Sequence, residues 1–393
     1  MTNDEKYKLI TRNLEEVLTD RELKELIASG KPLKHYIGLE ISGKAHAGWV
    51  FMMLKIKDLQ DAGVETNILL ADWHTWLNKK LDGTLETAKR LARDYFEEAL
   101  KATALCAGAD PDRINFVLGS ELYKKLGSDY WAKVIKVAKA TTVARMMRST
   151  TIMGRKESEV SDTAMLFYPA MQSADIFALG VNIAHSGTDQ RNVHVVAREA
   201  AGELGEEKPI AIHHHLLLGL ARPTGIYTQQ EIKQAQQISQ ELPDNFDQVI
   251  KNAQDLSGKP SLDAIKLALK MSKSVPDSAV FIHDSPEEIK RKVMNAFCPE
   301  GKVTFNPILD WVKWLIFYNP TTFTVKRDPK YGSNLTYTSY FDLEKDYVSK
   351  NLHPQDLKTA VADWLIEKLE PARKYFEGPK RKTALEEIDR LTN

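Results

Sequence analysis

The stretch from Lys34 to Leu118 constrains the fold more than any other part of this chain of 393 residues, because strand and helix patterns alternate along it. Lys34 to Ile41 alternates and is β-branched enough for a strand, and Ala47 to Ala62 carries a helix pattern with Gly63 placed to close it. Glu65 to Ala71 holds the unbroken run Ile68-Leu69-Leu70, as in a strand buried on both faces. A long helical segment from Leu85 to about Cys106 follows, and Arg113 to Leu118 supplies a third strand. Such an order implies right-handed parallel crossovers, with ligands bound beyond the carboxyl ends of the strands. His46, Asp72 and His74 all fall at such ends. The expected class is α/β, with a Rossmann-like parallel sheet.

The rest of the chain reads as helix. Thr19-Asp20-Arg21-Glu22 and Thr228-Gln229-Gln230-Glu231 are capping boxes, and Ser285-Pro286-Glu287-Glu288 adds proline at the first helical position. Ser285 is therefore the expected start of a second domain, giving a sheet-based domain over residues 1–284 and a helical one over 285–393. In that second part Asn319 to Thr338 is irregular, with no strand run strong enough for a second sheet. The 54 basic and 54 acidic residues cancel, so any nucleic-acid surface has to be a local patch. Cys106 and Cys298 lie far apart, which indicates neither a disulfide framework nor a zinc site and fits a reducing cytoplasm. The polar N-terminus and the absence of an apolar run near the roughly 18 residues of a membrane span lead to the same expectation of a cytoplasmic protein with no membrane partner.

Two motifs carry chemistry. Gly43-Lys44-Ala45-His46-Ala47-Gly48-Trp49 puts an imidazole at the first turn of a helix that follows a strand, where backbone N–H groups and the helix dipole favour phosphate. Far downstream, Lys270-Met271-Ser272-Lys273-Ser274 offers two ammonium groups and two hydroxyls on a loop. When a carboxylate attacks the α-phosphate of ATP and pyrophosphate leaves, charge grows on phosphate oxygens and fixed donors must meet it. Each motif alone is an ordinary loop; in this order, across an α/β pattern, they point to activation of an amino acid by ATP.

Four further strings carry a family resemblance. These are Tyr36-Ile37-Gly38-Leu39-Glu40, Leu69-Leu70-Ala71-Asp72-Trp73-His74, Tyr168-Pro169-Ala170-Met171-Gln172-Ser173-Ala174-Asp175, and Gly187-Thr188-Asp189-Gln190-Arg191-Asn192-Val193-His194. With the two motifs they resemble a tyrosyl-tRNA synthetase of the archaeal and eukaryotic type, a class I aminoacyl-tRNA synthetase, from about Glu5 to Phe376. The resemblance implies a catalytic Rossmann-like domain, a C-terminal α-helical anticodon-binding domain, and a homodimer that takes L-tyrosine, ATP with Mg²⁺, and tRNA(Tyr).

By position, the resemblance implies that Tyr36 and Asp175 bind the phenolic hydroxyl of tyrosine and that Tyr168, Gln172 and Gln190 surround its amino group. Gly38, Glu40, Ala71 and His74 complete the substrate pocket. A phenol at the end of an apolar slot needs both a donor and an acceptor, which a tyrosine and an aspartate supply together. His46, Lys270 and Lys273 are the catalytic residues implied, and Gly43, His46, Gly48, Trp49, Lys270, Met271, Ser272, Lys273 and Ser274 the ATP-binding set. No residue is assigned to a protein-held metal; magnesium is expected to bridge the ATP phosphates. Tyr331 and Asp356 match the positions that hold the first anticodon base, as a stacking ring and a carboxylate acceptor for guanine.

The sequence also departs from the family pattern. Trp49 stands where the class motif usually ends in a second histidine, Tyr123 where relatives commonly carry glutamine, and Phe177 where a polar residue is common. Residues from about 221 to 267 form an insertion before the lysine loop, and their capping box argues for a helical one. Lys290-Arg291-Lys292 and Lys380-Arg381-Lys382 are candidate phosphate contacts or solvated helix faces. His213-His214-His215 reads as a strand end rather than a metal site. Three alternatives to tyrosine–tRNA ligation stand at this stage: the related tryptophan enzyme or another amino-acid selectivity, against which Tyr36 and Asp175 speak; a catalytically silent tRNA-binding paralogue, against which His46, Lys270 and Lys273 speak; and a nucleotidyltransferase sharing the upstream motif, against which the anticodon-like Tyr331 and Asp356 speak.

Overall fold

The computed structural model describes residues 1–153, 162–221 and 276–392. The Lys270 to Ser274 motif, the capping box at Thr228 and all of the 221–267 insertion after Ala221 lie outside the described residues.

In chain order the elements are α1 (Asn3–Thr11), β1 (Leu14–Leu18), α2 (Asp20–Ala28), β2 (Lys34–Glu40), α3 (Ala47–Asp61), β3 (Glu65–Ala71), α4 (Asp72–Leu77), α5 (Leu85–Leu91), α6 (Glu98–Ala107), β4 (Ile114–Leu118), α7 (Gly119–Leu126), α8 (Ser128–Lys139), α9 (Val143–Ser149), α10 (Phe167–Ala178), β5 (Ile183–Gly187), α11 (Arg191–Leu204) and β6 (Ile210–His214). They build a six-stranded sheet of order β1-β6-β5-β2-β3-β4, in which only β1 is antiparallel to its neighbour. The three strands and two helical segments expected between Lys34 and Leu118 are present, and α5 runs into α6 through a π-helical stretch, Ala92–Glu97. β3 is buried from Thr66 to Ala71, as its unbroken apolar run requires.

Local chemistry sets the element ends. α3 is buried on nearly every side, as a helix with apolar residues all round must be. It stops where Gly63 takes φ 73° and the Val64 N–H reaches back to the Leu59 carbonyl at 2.9 Å. Thr19 and Glu22 close the capping box of α2 reciprocally, each side chain accepting from the other's backbone N–H. Lys55, buried in the middle of α3, donates to the Leu9 and Ile10 carbonyls at the end of α1 and pairs with Asp58, which also receives Arg12. These bonds tie α1 to the sheet-bearing core.

The chain divides into two compact units, Met1–His215 together with Leu369–Asn393, and Leu216–Lys368. These limits do not coincide with the 284/285 boundary: Ser285 does cap a helix, accepting from the Glu288 N–H, but a cap marks where a helix starts and not which core it joins. The second unit contains α12 (Pro286–Asn295), α13 (Pro307–Trp314), β7 (Phe323–Val325), β8 (Leu335–Tyr337), α14 (Tyr340–Val348) and α15 (Pro354–Lys368). Its core gathers Ile289, Val293, Ile308, Trp311, Leu343, Tyr347, Leu357 and Val361, all nearly inaccessible. The segment read as irregular, Asn319 to Thr338, contains an antiparallel ribbon in which Phe323 pairs with Tyr337 and Val325 with Leu335. Three residues per strand are too few for a period of two to stand out in the sequence. The remaining helices, α16 (Glu370–Tyr375) and α17 (Pro379–Thr392), belong to the first unit. Among the described residues no helix is long and apolar enough to cross a membrane.

Candidate active site

The strand order reverses between β2 and β5, the neighbours from which the sheet grows in opposite directions. They pair only at His35 with Ile183 and Tyr36 with Ala184, so beyond Tyr36 the two strands part and leave a crevice at their carboxyl ends. Glu40, Ala71 and Gly187 end β2, β3 and β5 there.

One wall of the crevice is aromatic and acidic. Asp175, wholly buried on α10, accepts from the Tyr130 hydroxyl through Oδ1 at 2.9 Å. Its Oδ2 has no hydrogen-bond partner and lies 3.7 Å from His74 Nε2. Burial pushes the Asp175 carboxyl up to about 8, while the bond from Tyr130 acts in the opposite direction. His74 is held neutral because burial lowers its pKa to about 3, and its ring meets Tyr168 edge-on with centroids 4.6 Å apart. Tyr130 stacks on Tyr123 at 4.0 Å, and a side chain on Gly119 would strike both the Tyr123 hydroxyl and Asp72 Oδ1. Asp72 uses Oδ1 to accept from the Trp73 and Ser120 N–H groups, and its Oδ2 is unpaired. Tyr36 is buried, and burial together with Asp175 raises its phenol well above the usual range, so it remains a donor. Its hydroxyl sits over Gly38, where a Cβ would come within 2.6 Å of it. The wall thus joins Asp72, His74, Tyr123 and Asp175, each with a buried polar atom that lacks a partner. Such an atom costs about 1–3 kcal/mol, so a cluster of them in one crevice is the mark of a ligand pocket.

The other implied residues lie at neighbouring points of the crevice. Gln172 Nε2 donates to Gln190 Oε1 at 3.2 Å, and Gln190 Nε2 to the Ile152 carbonyl. Glu40 accepts from the Asn78 amide at 2.6 Å, which fixes the carboxylate at the end of β2. Ala71 closes β3, and its carbonyl accepts from Thr75.

The first motif forms the turn from β2 into α3. His46 is the N-cap of α3, and its Nδ1 accepts from the Gly48 N–H at 3.2 Å, which places the ring proton on Nε2. A Cβ on Gly48 would lie 2.8 Å from the imidazole, so only glycine permits this ring position. Gly43 turns the loop with φ 74°. Trp49 is buried, 5.4 Å from the Phe96 ring and edge-on to His46 at 6.4 Å. It packs beneath the histidine.

Elsewhere the structure gives plainer answers. The triple histidine ends β6, and its members are committed to other side chains: His213 lies between His194 and Glu16, His214 bonds to His185, and His215 to Glu15. His185 in turn reaches His35 at 3.0 Å. Among the described residues no three His, Cys, Asp or Glu side chains form a group able to hold a metal ion. In the basic clusters, Lys292 pairs with Asp284, Arg291 with Glu288 and Asp277, and Arg381 with Glu98. Asp356 lies in the first turn of α15, half-buried, and Tyr331 ends the 3₁₀ turn Pro329–Tyr331.

Tyr130 is the pocket residue that the sequence reading missed. With Val134 and Val137 it falls on the apolar face of α8, a pattern that reads as core, and its partner is 45 residues away.

The family model for tRNA synthetases class I (W and Y) matches residues 28–225 and 230–370. The chain is 47% identical over 389 residues to the tyrosine–tRNA ligase of Thermococcus sibiricus, with 96% of each chain covered. It is 48% identical over 391 residues to that of Thermococcus kodakarensis, again with 96% of each covered. The structure is similar to a crystal structure of tyrosyl-tRNA synthetase complexed with L-tyrosine from Pyrococcus horikoshii, with a TM-score of 0.87, 45% identity, and coverage of 99% of this chain and 100% of that one.

Proposed function

The chain belongs to the class I tRNA synthetases of the tryptophan and tyrosine type, and from that premise we propose how its residues share the work of a tyrosine–tRNA ligase. Tyrosine and ATP give tyrosyl-adenylate and pyrophosphate; the tyrosyl group then passes to the 3′ end of tRNA(Tyr). The observation that carries the choice of tyrosine is the buried Asp175, held by Tyr130 on one oxygen and unpaired on the other, on a wall of aromatic rings with Tyr36 among its neighbours. A phenol placed there donates to Asp175 Oδ2 and accepts from Tyr36. Phenylalanine would leave both groups buried without partners, at about 1–3 kcal/mol each. Gln172, Gln190 and Tyr168 take the ammonium end, Glu40 adds negative charge beside it, and Gly38, Ala71 and His74 shape the slot.

At the other end His46 Nε2–H donates to a phosphate oxygen as the α-phosphorus becomes five-coordinate, and Gly43 and Gly48 let the nucleotide approach the backbone. Lys270 and Lys273, with Met271, Ser272 and Ser274 beside them, hold the departing pyrophosphate. Catalysis is then positioning plus electrostatic stabilisation, with no covalent enzyme intermediate. Magnesium would enter with ATP and offset charge on its phosphates, the usual mode for a cation that keeps several waters. Trp49 supports His46 from below instead of donating. Tyr331 and Asp356 read the anticodon, the second subunit of a homodimer shares the tRNA, and the reaction takes place in the cytoplasm.

Two variants separate these roles. Lys270→Ala is expected to slow tyrosine-dependent ATP–pyrophosphate exchange with little change in tyrosine affinity. Asp356→Ala is expected to weaken tRNA charging and leave exchange intact. A normal exchange rate in the first, or an equal loss of both activities in the second, overturns the assignment.

A further inference from the structure

We propose that the C-terminal helix α17 is a working part of the nucleotide site, and that Asp389 on it is a positioning residue for the loop that carries His46. The inference rests on the reading of that loop as the phosphate-binding element.

The loop is held from outside at two adjacent residues. The Ala45 N–H donates to the Tyr95 hydroxyl at 2.9 Å, a bond wholly removed from solvent. Beside it the Lys44 ammonium lies 2.5 Å from Asp389 Oδ1, an ion pair by distance without the alignment of a hydrogen bond. The C-terminal segment supports both anchors. Phe376 packs on Tyr95 with ring centroids 5.9 Å apart, and Asp389 is delivered by α17.

The helix itself is clamped along its length to the layer formed by α5 and α6. Near its start Arg381 bonds Glu98 at 2.6 Å, lies over the Tyr375 ring at 3.8 Å, and shares Glu98 with the Tyr375 hydroxyl. Near its end Glu387 pairs with Arg90 at 2.5 Å. Ala384 and Ile388 are its buried apolar residues. From Arg381 to Asp389 a helix rises about 12 Å, so α17 is a rigid strut that carries a carboxylate from its anchorage at Glu98 to the nucleotide loop.

This contact has a definite consequence for the loop. Gly43 gives it conformational freedom, and an ion pair narrows the rotamers that a lysine in it samples. Asp389 restrains the Lys44 side chain and offsets its charge, so the loop meets ATP through His46 and its backbone. His46 is only two residues from Lys44, and its ring position depends on the turn that the loop makes. Loss of the carboxylate therefore loosens the phosphate end of the site without reaching Tyr36, Tyr130 or Asp175.

The test is tyrosine-dependent ATP–pyrophosphate exchange with the full chain and the variants Asp389→Asn, Asp389→Glu and Glu387→Gln, all below their melting transitions. Asp389→Asn is expected to raise the KM for ATP about three- to fivefold, the scale of one partly exposed ion pair, with the KM for tyrosine unchanged. Asp389→Glu should restore most of the loss. Glu387→Gln, which weakens the same helix without touching the loop, should leave both constants at their original values. An ATP KM in Asp389→Asn equal to that of the full chain or of Glu387→Gln overturns the proposal; so does a lower one, which would make Asp389 a competitor of phosphate for Lys44. If the unaltered chain shows no tyrosine-dependent exchange, the functional reading itself has failed, and that outcome is distinct from an indifferent Asp389.

Discussion

Replacing Tyr130 with phenylalanine keeps the ring that stacks on Tyr123 at 4.0 Å and removes only the hydroxyl that donates to Asp175 Oδ1 at 2.9 Å. Asp175 sits near pKa 8 because burial raises it and the bond from Tyr130 restrains that rise. A hydrogen bond to a charged group contributes about 1.5–3 kcal/mol, and 1.36 kcal/mol corresponds to one pKa unit, so its loss should move Asp175 upward by about one to two units. The ionised carboxylate is the form that accepts from the substrate phenol. In the unaltered enzyme, kcat/KM for tyrosine should therefore rise with pH through a midpoint near 8. In Tyr130→Phe the midpoint should move higher, and at pH 7 kcat/KM for tyrosine should fall by about 10- to 100-fold. Burial keeps His74 neutral near pKa 3 and raises the Tyr36 and Tyr123 phenols well above their usual range; Asp72 is also raised by burial, but its Oδ1 is held by the Trp73 and Ser120 N–H groups and not by Tyr130, so the shift between the unaltered enzyme and Tyr130→Phe belongs to Asp175. The assay is ATP–pyrophosphate exchange from pH 6 to 9 with tyrosine and ATP varied separately. An unchanged midpoint in Tyr130→Phe, or equal losses in the tyrosine and ATP constants, would refute this account of Asp175.

Three further outcomes follow from the same geometry. Gly38→Ala puts a Cβ within 2.6 Å of the Tyr36 hydroxyl and should raise the KM for tyrosine at least about tenfold with little effect on that for ATP, measured by exchange. Gly48→Ala drives a methyl into the His46 ring at 2.8 Å and should lower kcat at least about tenfold while tyrosine binding, measured by calorimetry, stays the same. Asp175 also has a stability signature: its folded pKa is raised from 3.8 to about 8, so its stabilising proton is fully held below about pH 4 and lost as pH rises through 8. The unfolding free energy of the unaltered chain relative to Asp175→Asn should therefore fall by about 1.4 kcal/mol per pH unit across that window; denaturant titrations giving a flat difference would contradict the burial assigned to this group.

The sequence carried the sheet wherever apolar runs followed the rules of a buried strand, as at Ile68-Leu69-Leu70, and wherever a helix had clear ends, as at Gly63. It carried β6 only at its histidine end and did not carry β5, because Ile183–Gly187 and Ile210–His214 place histidines inward, where His185 bonds His35 and His214 across neighbouring strands and His213 bonds His194 on α11. No single strand contains that information. β1 escaped notice for a related reason: it is a five-residue edge strand with two adjacent glutamates, and its inward contacts come from His213 and Arg191. At the site, the residues that belong to contiguous motifs were legible by resemblance. Tyr130 was not, since its role exists only once α8 and α10 lie side by side. The same holds for Asp389, whose partner Lys44 is hundreds of residues upstream.

The most direct test of the central claim is ATP–pyrophosphate exchange with each standard amino acid supplied singly and no tRNA present. Exchange that depends on tyrosine, with phenylalanine and tryptophan inert, is the predicted result. Comparable exchange with phenylalanine or tryptophan would contradict the pairing of Tyr36 with Asp175, and exchange with no amino acid at all would contradict the catalytic reading of His46 and its loop.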